Sequence, residues 1–343
     1  MTDTTTDAPT DAILPPAARQ VVPFFMQMAL GQLLKSAVEL RLPTEIGDEP
    51  VAVGDLADRV GADASALARL LEALSSFGFF RRVDGDRYAH TPRSAPLAQD
   101  AGGTLAELFT ADWMWQTWDE LTTAVRTGTS PFAHRHGKDF FGYLTQDNPG
   151  AAGLFNKAMT LLTGSANEAE SLDLSTTDTV VDVGGGQGVL LRDLLVRHPR
   201  LRGVLFDIEP VIARALPELR QEPLADRCSV IAGSAFGSVP EGADAYVLRN
   251  VLHMWNDEDC ARALENVVRV AAPGARVLVI ELVLPERPDH PFPPLLDLQM
   301  LLLLGGRERS EAKFAELFER AGLKYAGITR TSTMFDVVEA RVP

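Results

Sequence analysis

An apolar run, Val180-Val181-Asp182-Val183, leads directly into Gly184-Gly185-Gly186-Gln187-Gly188, and Val189 to Val196 continues with helical periodicity. Glycines at such a junction let the backbone turn sharply and approach a ligand at the carboxyl end of a strand, where open α/β sheets bind cofactors. The glycines stand at 184, 186 and 188, whereas the dinucleotide fingerprint GxGxxG needs one at 189, where Val189 stands. No GxxxxGKS or GxxxxGKT loop for a nucleoside triphosphate occurs either. Nineteen residues beyond Gly188, Asp207 closes the run Gly203–Phe206. It is placed to accept hydrogen bonds from both hydroxyls of a ribose, or alternatively to cap the next helix. An adenosine ligand without a pyrophosphate fits this spacing better than NAD, and S-adenosyl-L-methionine is the common ligand of that kind.

A second group of residues has the chemistry of a base. Methyl transfer from a sulfonium is an in-line displacement whose main demands are alignment and a nucleophilic acceptor. A phenol, with a pKa of about 10, is scarcely ionised at neutral pH, so a base of near-neutral pKa within hydrogen-bond reach assists attack. His253 suits this by type, and it follows the apolar run Ala245–Leu248, at the ligand end of such a sheet. Glu281 ends Val277-Leu278-Val279-Ile280, and a carboxylate closing a buried strand needs a polar partner. It is a candidate to orient the imidazole and stabilise its charge, or else an ordinary salt-bridge partner. Glu308 lies among Arg307, Arg309 and Glu311, where it also reads as a solvated charge.

Six motifs then follow one another in order: Asp182-Val-Gly-Gly-Gly-Gln-Gly188, Phe206-Asp207, Gly233-Ser-Ala-Phe236, Arg249-Asn-Val-Leu-His-Met-Trp255, Ile280-Glu281 and Gly305-Gly-Arg-Glu-Arg309. Together they resemble the plant-type small-molecule O-methyltransferases and their bacterial relatives in natural-product pathways, over nearly the whole chain. The resemblance implies S-adenosyl-L-methionine as cofactor, S-adenosyl-L-homocysteine as product, and methylation of a hydroxyl on a small aromatic molecule. By matching position it implies cofactor contacts from Asp182, Gly184, Gly186, Asp207, Phe236, Arg249 and Trp255, with His253 as general base bracketed by Glu281 and Glu308. Two positions depart from the pattern. Ser234 stands where the family has an acidic residue on the adenine amino group, and Met254 stands where an Asp usually follows the His. The resemblance also implies a homodimer built on the N-terminal module.

The elements that must position these residues are legible in outline. The expected fold class is α/β, a Rossmann-like doubly wound methyltransferase sheet with an N-terminal helical winged-helix dimerisation domain. The expected boundaries are a disordered tail at 1–14, the winged-helix domain at 15–104, and the methyltransferase domain at 105–343. The last divides into a helical linker, 105–165, and a Rossmann-like core, 166–343. Helical periodicity runs from Val21 to Leu42; Leu56–Gly61 and Asp63–Phe77 read as two helices, and Asp84-Gly85 as a tight hairpin turn. Leu105 to Val125 reads as one helix carrying Trp113, Trp115 and Trp118, residues 127–138 as a loop, and Ala151 to Leu162 as a further helix. The runs Val180–Val183, Gly203–Phe206, Cys228–Ile231, Ala245–Leu248 and Arg276–Leu282 alternate with helices, as in a parallel sheet. A flat acceptor calls for aromatic and Met side chains, and the candidates are Trp113, Trp115, Phe155, Met159, Leu162, Met300 and Leu303.

Composition narrows the class. The net charge of −15 disfavours nucleic acid and anionic membranes. The helix at Asp63–Phe77 carries a single basic residue, Arg69, where a recognition helix needs several. Cys228 and Cys260 lack metal or redox spacing, and the N-terminus lacks the features of a secretory signal, so a cytoplasmic location is expected. The run Leu295–Leu304 is too short and too polar to span a bilayer. His134, His136 and His198 have no accompanying carboxylate pattern, so no metal is expected. The rival readings are a relative that has drifted to hydroxylation or decarboxylation, and a non-catalytic ligand-binding regulator.

Overall fold

The computed structural model describes residues 15–163 and 168–343. The tail expected at 1–14 and the join expected at 165–166 lie outside the described residues. The chain divides into two compact units. One comprises the residues up to Gln116 together with Gly150–Leu161, the other Thr117–Pro149 and Leu162–Pro343. The cut expected at 104 falls inside the helix Asp100–Thr110, so the first unit extends further than its periodicity implied.

In the first unit a helix spans Pro16–Glu39, and Arg41 at φ 57° starts the separate helix Leu42–Ile46. Leu42 therefore belongs to the second helix, not the first. The helix Val53–Val60 closes at Gly61, where φ is 65°, and the Asp63 carboxylate caps Ala64–Ser76 by accepting from the Ala66 N–H at 2.8 Å. Strands β1 (Val51–Ala52), β2 (Arg81–Arg82) and β3 (Arg87–Ala89) form an antiparallel wing in the order β1-β3-β2. Leu42, Leu56, Leu67, Leu71, Leu74, Phe80 and Tyr88 fill its core. Phe24, Phe25 and Met28 on the first helix are 69%, 63% and 68% exposed, an apolar face without cover.

Two stretches differ from expectation. The helix read at Leu105–Val125 is three helices, Asp100–Thr110, Asp112–Trp118 and Leu121–Thr127. Ala111 is extended, at φ −56° and ψ 137°, and its carbonyl accepts from Met114 and Trp115 to open a new helix. Apolar periodicity continues across this break, so spacing alone does not register it. The loop read at 127–138 contains the helix Phe132–His136, because buried Phe132 anchors it against Phe140 and Tyr143.

In the second unit the strands are β4 (Thr179–Val183), β5 (Arg202–Asp207), β6 (Cys228–Ala232), β7 (Ala245–Arg249), β8 (Arg276–Glu281), β9 (Val283–Leu284), β10 (Arg309–Ser310), β11 (Lys324–Thr329) and β12 (Asp336–Arg341). Among the described residues, seven form one sheet in the order β11-β12-β8-β7-β4-β5-β6. The five runs read as strands pair in parallel. β12 instead runs antiparallel to β8 and to β11, and the short link 330–335 between β11 and β12 permits only the antiparallel return.

Val181, Val183, Tyr246, Leu248, Val277 and Val279 pack on one face with Leu264, Phe314 and Phe318 of the helices Asp257–Val270 and Glu311–Arg320. Val180, Ala245, Val247, Leu278 and Ile280 pack on the other with Leu191 and Leu194. Both faces are covered, so the central strands are largely apolar, with Asp182 and Glu281 the buried charges among them. Chain order reverses between β4 and β7, and the carboxyl ends of these two strands frame the crevice where such sheets bind ligands.

Candidate active site

β4 ends in a turn that only glycine adopts easily, with φ at 69° for Gly184 and 62° for Gly186. The Gly184 N–H donates to the Phe206 carbonyl at 2.8 Å, and the Gly186 N–H donates to Asp207 Oδ2 at 2.9 Å. Asp207 Oδ1 accepts from the Ile208 N–H at 2.7 Å. Each carboxylate oxygen keeps acceptor capacity for a ribose hydroxyl. A Cβ on Gly186 would meet nothing within 4 Å, so the loop faces open space.

Beyond β6, Phe236 is 37% exposed, with the Trp255 ring 4.5 Å away and the Arg262 guanidinium 4.7 Å over its centroid. Ser234 Oγ accepts from the Phe236 N–H at 3.3 Å, so its hydroxyl is engaged in its own turn. A diol acceptor beside an exposed aromatic surface fits an adenosyl group. Arg249 ends β7, and Asn250 follows in the left-handed region at φ 53°.

Asp182 is placed differently from the cofactor contact expected of it. It is 1% exposed and lies under the loop, where a Cβ on Gly185 would come within 2.6 Å of its carboxylate. Burial raises its pKa to about 7, with Arg249 opposing and Asp207 adding to the rise. Its oxygens find no hydrogen-bond partner in the protein.

His253 sits on the single turn Leu252–Met254 after β7. Val251, at the start of that turn, packs on Gly184 so closely that a Cβ there would approach it within 2.7 Å. The glycine turn and the histidine turn therefore touch. The imidazole Nδ1 lies 2.9 Å from Glu308 Oε1, and the Glu308 side chain is fully buried. Glu308 is thus no solvated charge. Burial alone lowers the His253 pKa, but the Glu308 bond and charge, with that of Glu281, outweigh it and raise the pKa above 6.5.

Glu281 is expected at the ring but is found at the backbone. Its Oε1 accepts from the Val251 N–H at 3.1 Å and the His253 N–H at 3.0 Å. The carboxylate ends β8, one strand away, and reaches the nearest unpaired donors, which are main-chain. Burial pushes its pKa up to about 6.

Of the expected acceptor-pocket residues, Trp113, Trp115, Phe155 and Met159 belong to the first unit and Leu162, Met300 and Leu303 to the second. Trp115 lays its ring on Gly31, where a Cβ would come within 2.9 Å. Sequence reasoning missed Asn250, Gly306, Asp257 and Arg309. The repeated glycine was the available signal for Gly306, where a Cβ would meet the His253 carbonyl oxygen at 2.0 Å. Among the described residues no group of three or more His, Cys, Asp or Glu is arranged to hold a metal ion.

The Asp182 environment makes a signed prediction. Between pH 4 and about 7 the folded chain keeps a proton that the unfolded chain has lost, so stability falls as pH rises through that window. Asp182→Asn cannot ionise and removes this slope. Urea midpoints should show the variant gaining on the wild type between pH 5 and 8; parallel curves would show a carboxyl ionised throughout.

Two family models match the chain, the O-methyltransferase domain over residues 118–324 and the O-methyltransferase dimerisation domain over 24–100. The mitomycin biosynthesis 6-O-methyltransferase of Streptomyces lavendulae is 38% identical over 315 residues, 90% of either chain. The solved mitomycin 7-O-methyltransferase is 37% identical with a TM-score of 0.86, covering 95% of this chain and 98% of that one. An O-methyltransferase from neocarzinostatin biosynthesis, solved with S-adenosylmethionine and 2-hydroxy-5-methyl naphthoic acid, is 30% identical with a TM-score of 0.80 over 92% and 96% of the two chains. With its glycine turn, strand-ending Asp207 and buried histidine–glutamate pair, this chain belongs to the O-methyltransferase family.

Proposed function

We propose that the protein transfers the methyl group of S-adenosyl-L-methionine to a hydroxyl of a small aromatic natural product, with His253 as general base. The observation that carries this reading is the His253–Glu308 pair at 2.9 Å. A carboxylate at Nδ1 favours the tautomer with its proton there, leaving the Nε2 lone pair for the acceptor. The cofactor supplies an electrophilic methyl on sulfur. Asp207 holds its ribose, Gly184 and Gly186 admit it closely, and Phe236 and Trp255 flank the adenine. Arg249 completes the cofactor contacts at the end of β7. Ser234 takes the adenine position without the charge of an acid. As the acceptor oxygen attacks, its proton passes to Nε2, and Glu308 stabilises the imidazolium that forms. Glu281 fixes the turn from which the ring projects. The aromatic class is supported by the naphthoic acid bound to the neocarzinostatin relative, and by the hydroxyl chemistry for which the mitomycin relative is named. Within the second unit, Leu162, Met300 and Leu303 are the acceptor-packing residues in this reading. A buried base poised for deprotonation favours methylation over decarboxylation, hydroxylation or a purely regulatory role.

The same reading makes the enzyme a cytoplasmic homodimer. The helix Ala17–Glu39 is long and apolar enough to cross a membrane by length and composition, and 6% of it is buried. It overlaps the dimerisation model at residues 24–100, which favours a second copy as the cover for Phe24, Phe25 and Met28. Phe24→Glu with Phe25→Glu should reduce the mass by light scattering from about twice 37.2 kDa to that of one chain. A wild-type mass of one chain at every concentration contradicts the dimer.

Asp207→Ala should weaken S-adenosyl-L-methionine binding by about 1.5–3 kcal/mol in titration calorimetry, the range for hydrogen bonds to a charged group. Undiminished affinity would remove Asp207 from the site.

His253→Ala should lower turnover of a phenolic acceptor by roughly 10²–10⁴-fold, with cofactor affinity nearly unchanged. The base must be unprotonated, so the wild-type rate should fall as pH drops through a histidine pKa above 6.5. Wild-type turnover in the variant on a weakly acidic acceptor would leave alignment alone to carry catalysis.

A further inference from the structure

The backbone of the turn that carries His253 is held by side chains from two sides. On the amide side, Glu281 takes the N–H groups of Val251 and His253. On the carbonyl side, Arg309 Nη1 donates to Leu252 O at 2.9 Å and Nη2 donates to Trp255 O at 2.9 Å, while the Arg307 N–H donates to His253 O at 2.9 Å. The Arg309 side chain is 1% exposed and is paired by Asp257, whose Oδ1 lies 2.9 Å from Nε and 2.8 Å from Nη2. Nη1 also reaches Arg307 O at 3.3 Å.

We propose that Arg309, backed by Asp257, is a positioning residue for the reaction: it holds the carbonyl side of the His253 turn and so aims Nε2 at the acceptor. This rests on the reading of His253 as the base. The Leu252 carbonyl accepts from the Trp255 N–H at 3.1 Å and from Cys260 Sγ at 3.1 Å, and Arg309 adds a charged donor to it. Arg309 also reaches the Trp255 carbonyl, which Cys260 Sγ approaches only at 3.7 Å; buried carbonyls need such donors. A planar guanidinium satisfies two carbonyls and a carboxylate at once, a geometry that a lysine ammonium cannot reproduce.

The placement ties this clamp to the chemistry as well as to the fold. Glu308 immediately precedes β10 and Arg309 opens it, and their side chains go to different partners, one to the imidazole and one to the backbone of its turn. A single segment therefore sets the ring and its support together. Gly306 lets that segment pass against the turn at a distance no Cβ would permit. A displacement of about 1 Å in such a group can cost on the order of 10²-fold in rate without touching substrate binding.

The test compares Arg309→Lys, Asp257→Asn and His253→Ala, and combines each of the first two with His253→Ala. Turnover is read with 2-hydroxy-5-methyl naphthoic acid, cofactor binding by calorimetry, and ring tautomer by ¹⁵N NMR of the cofactor-bound protein, with the His253 signal assigned by its loss in His253→Ala. Arg309→Lys should melt as a folded protein and bind S-adenosyl-L-methionine within about threefold of wild type, while kcat falls roughly 10–10²-fold. In the His253→Ala background the same change should cost less than about twofold, because the residue acts through a ring that is no longer there. The NMR signal should pass from one tautomer to a mixture, and this readout stands whether or not the naphthoic acid is turned over.

If Arg309→Lys does not fold, Asp257→Asn should show the same pattern at about three- to tenfold, since the guanidinium keeps its carbonyls. An unchanged tautomer in the folded variant, or equal losses in both histidine backgrounds, would overturn the proposal. Full activity in His253→Ala would instead overturn the base assignment, an outcome visible without any Arg309 variant.

Discussion

Burying Glu281, Glu308 and Arg309 beside one imidazole carries a desolvation cost of several kcal/mol per charge, and only mutual satisfaction offsets it. Glu281 does so through two backbone amides at Oε1, Arg309 through carbonyls and Asp257, and Glu308 through the ring at Oε1, while the Oε2 of each glutamate has no hydrogen-bond partner in the protein. Remove one partner and another is left charged and dry. The arrangement therefore behaves as a unit, and the His253 turn has little freedom within it. That rigidity is what an alignment-limited reaction needs.

The same unit is anchored to the cofactor side through Val251. Because Val251 presses on Gly184, the glycine turn at the end of β4 and the histidine turn at the end of β7 cannot move independently. These strands are adjacent at the point where chain order reverses, so no strand stands between the two halves of the reaction. Asp207 extends the arrangement to β5, since its carboxylate ties the Gly186 amide to the next strand. The glycine turn and the histidine turn both sit at the carboxyl ends of neighbouring parallel strands of one sheet.

The N-terminal unit is under a different constraint. Its winged-helix core is complete by itself, yet its first helix leaves Phe24, Phe25 and Met28 exposed. An apolar face of that kind in an acidic, soluble-looking composition marks a surface for association.

Much of this was legible in the residue order alone. The glycine spacing excluded a dinucleotide loop, Asp207 followed at the right interval, and alternating apolar runs placed both at strand ends. Local rules fix such features, because a strand period and a glycine turn depend on residues close in sequence. The helix breaks near Ala111, and the helix at Phe132–His136, escaped because burial against distant side chains decided them. Which carboxylate meets the imidazole was likewise not local. Glu281 was the stronger candidate in the sequence and Glu308 the weaker, and only the fold put Glu308 at Nδ1 and Glu281 at the amides. Arg309 carried no role in the sequence, and only packing buried it among the carbonyls of the His253 turn. Partner choice among residues about 30 and 55 positions apart depends on strand order and side-chain direction, and only the tertiary structure sets those.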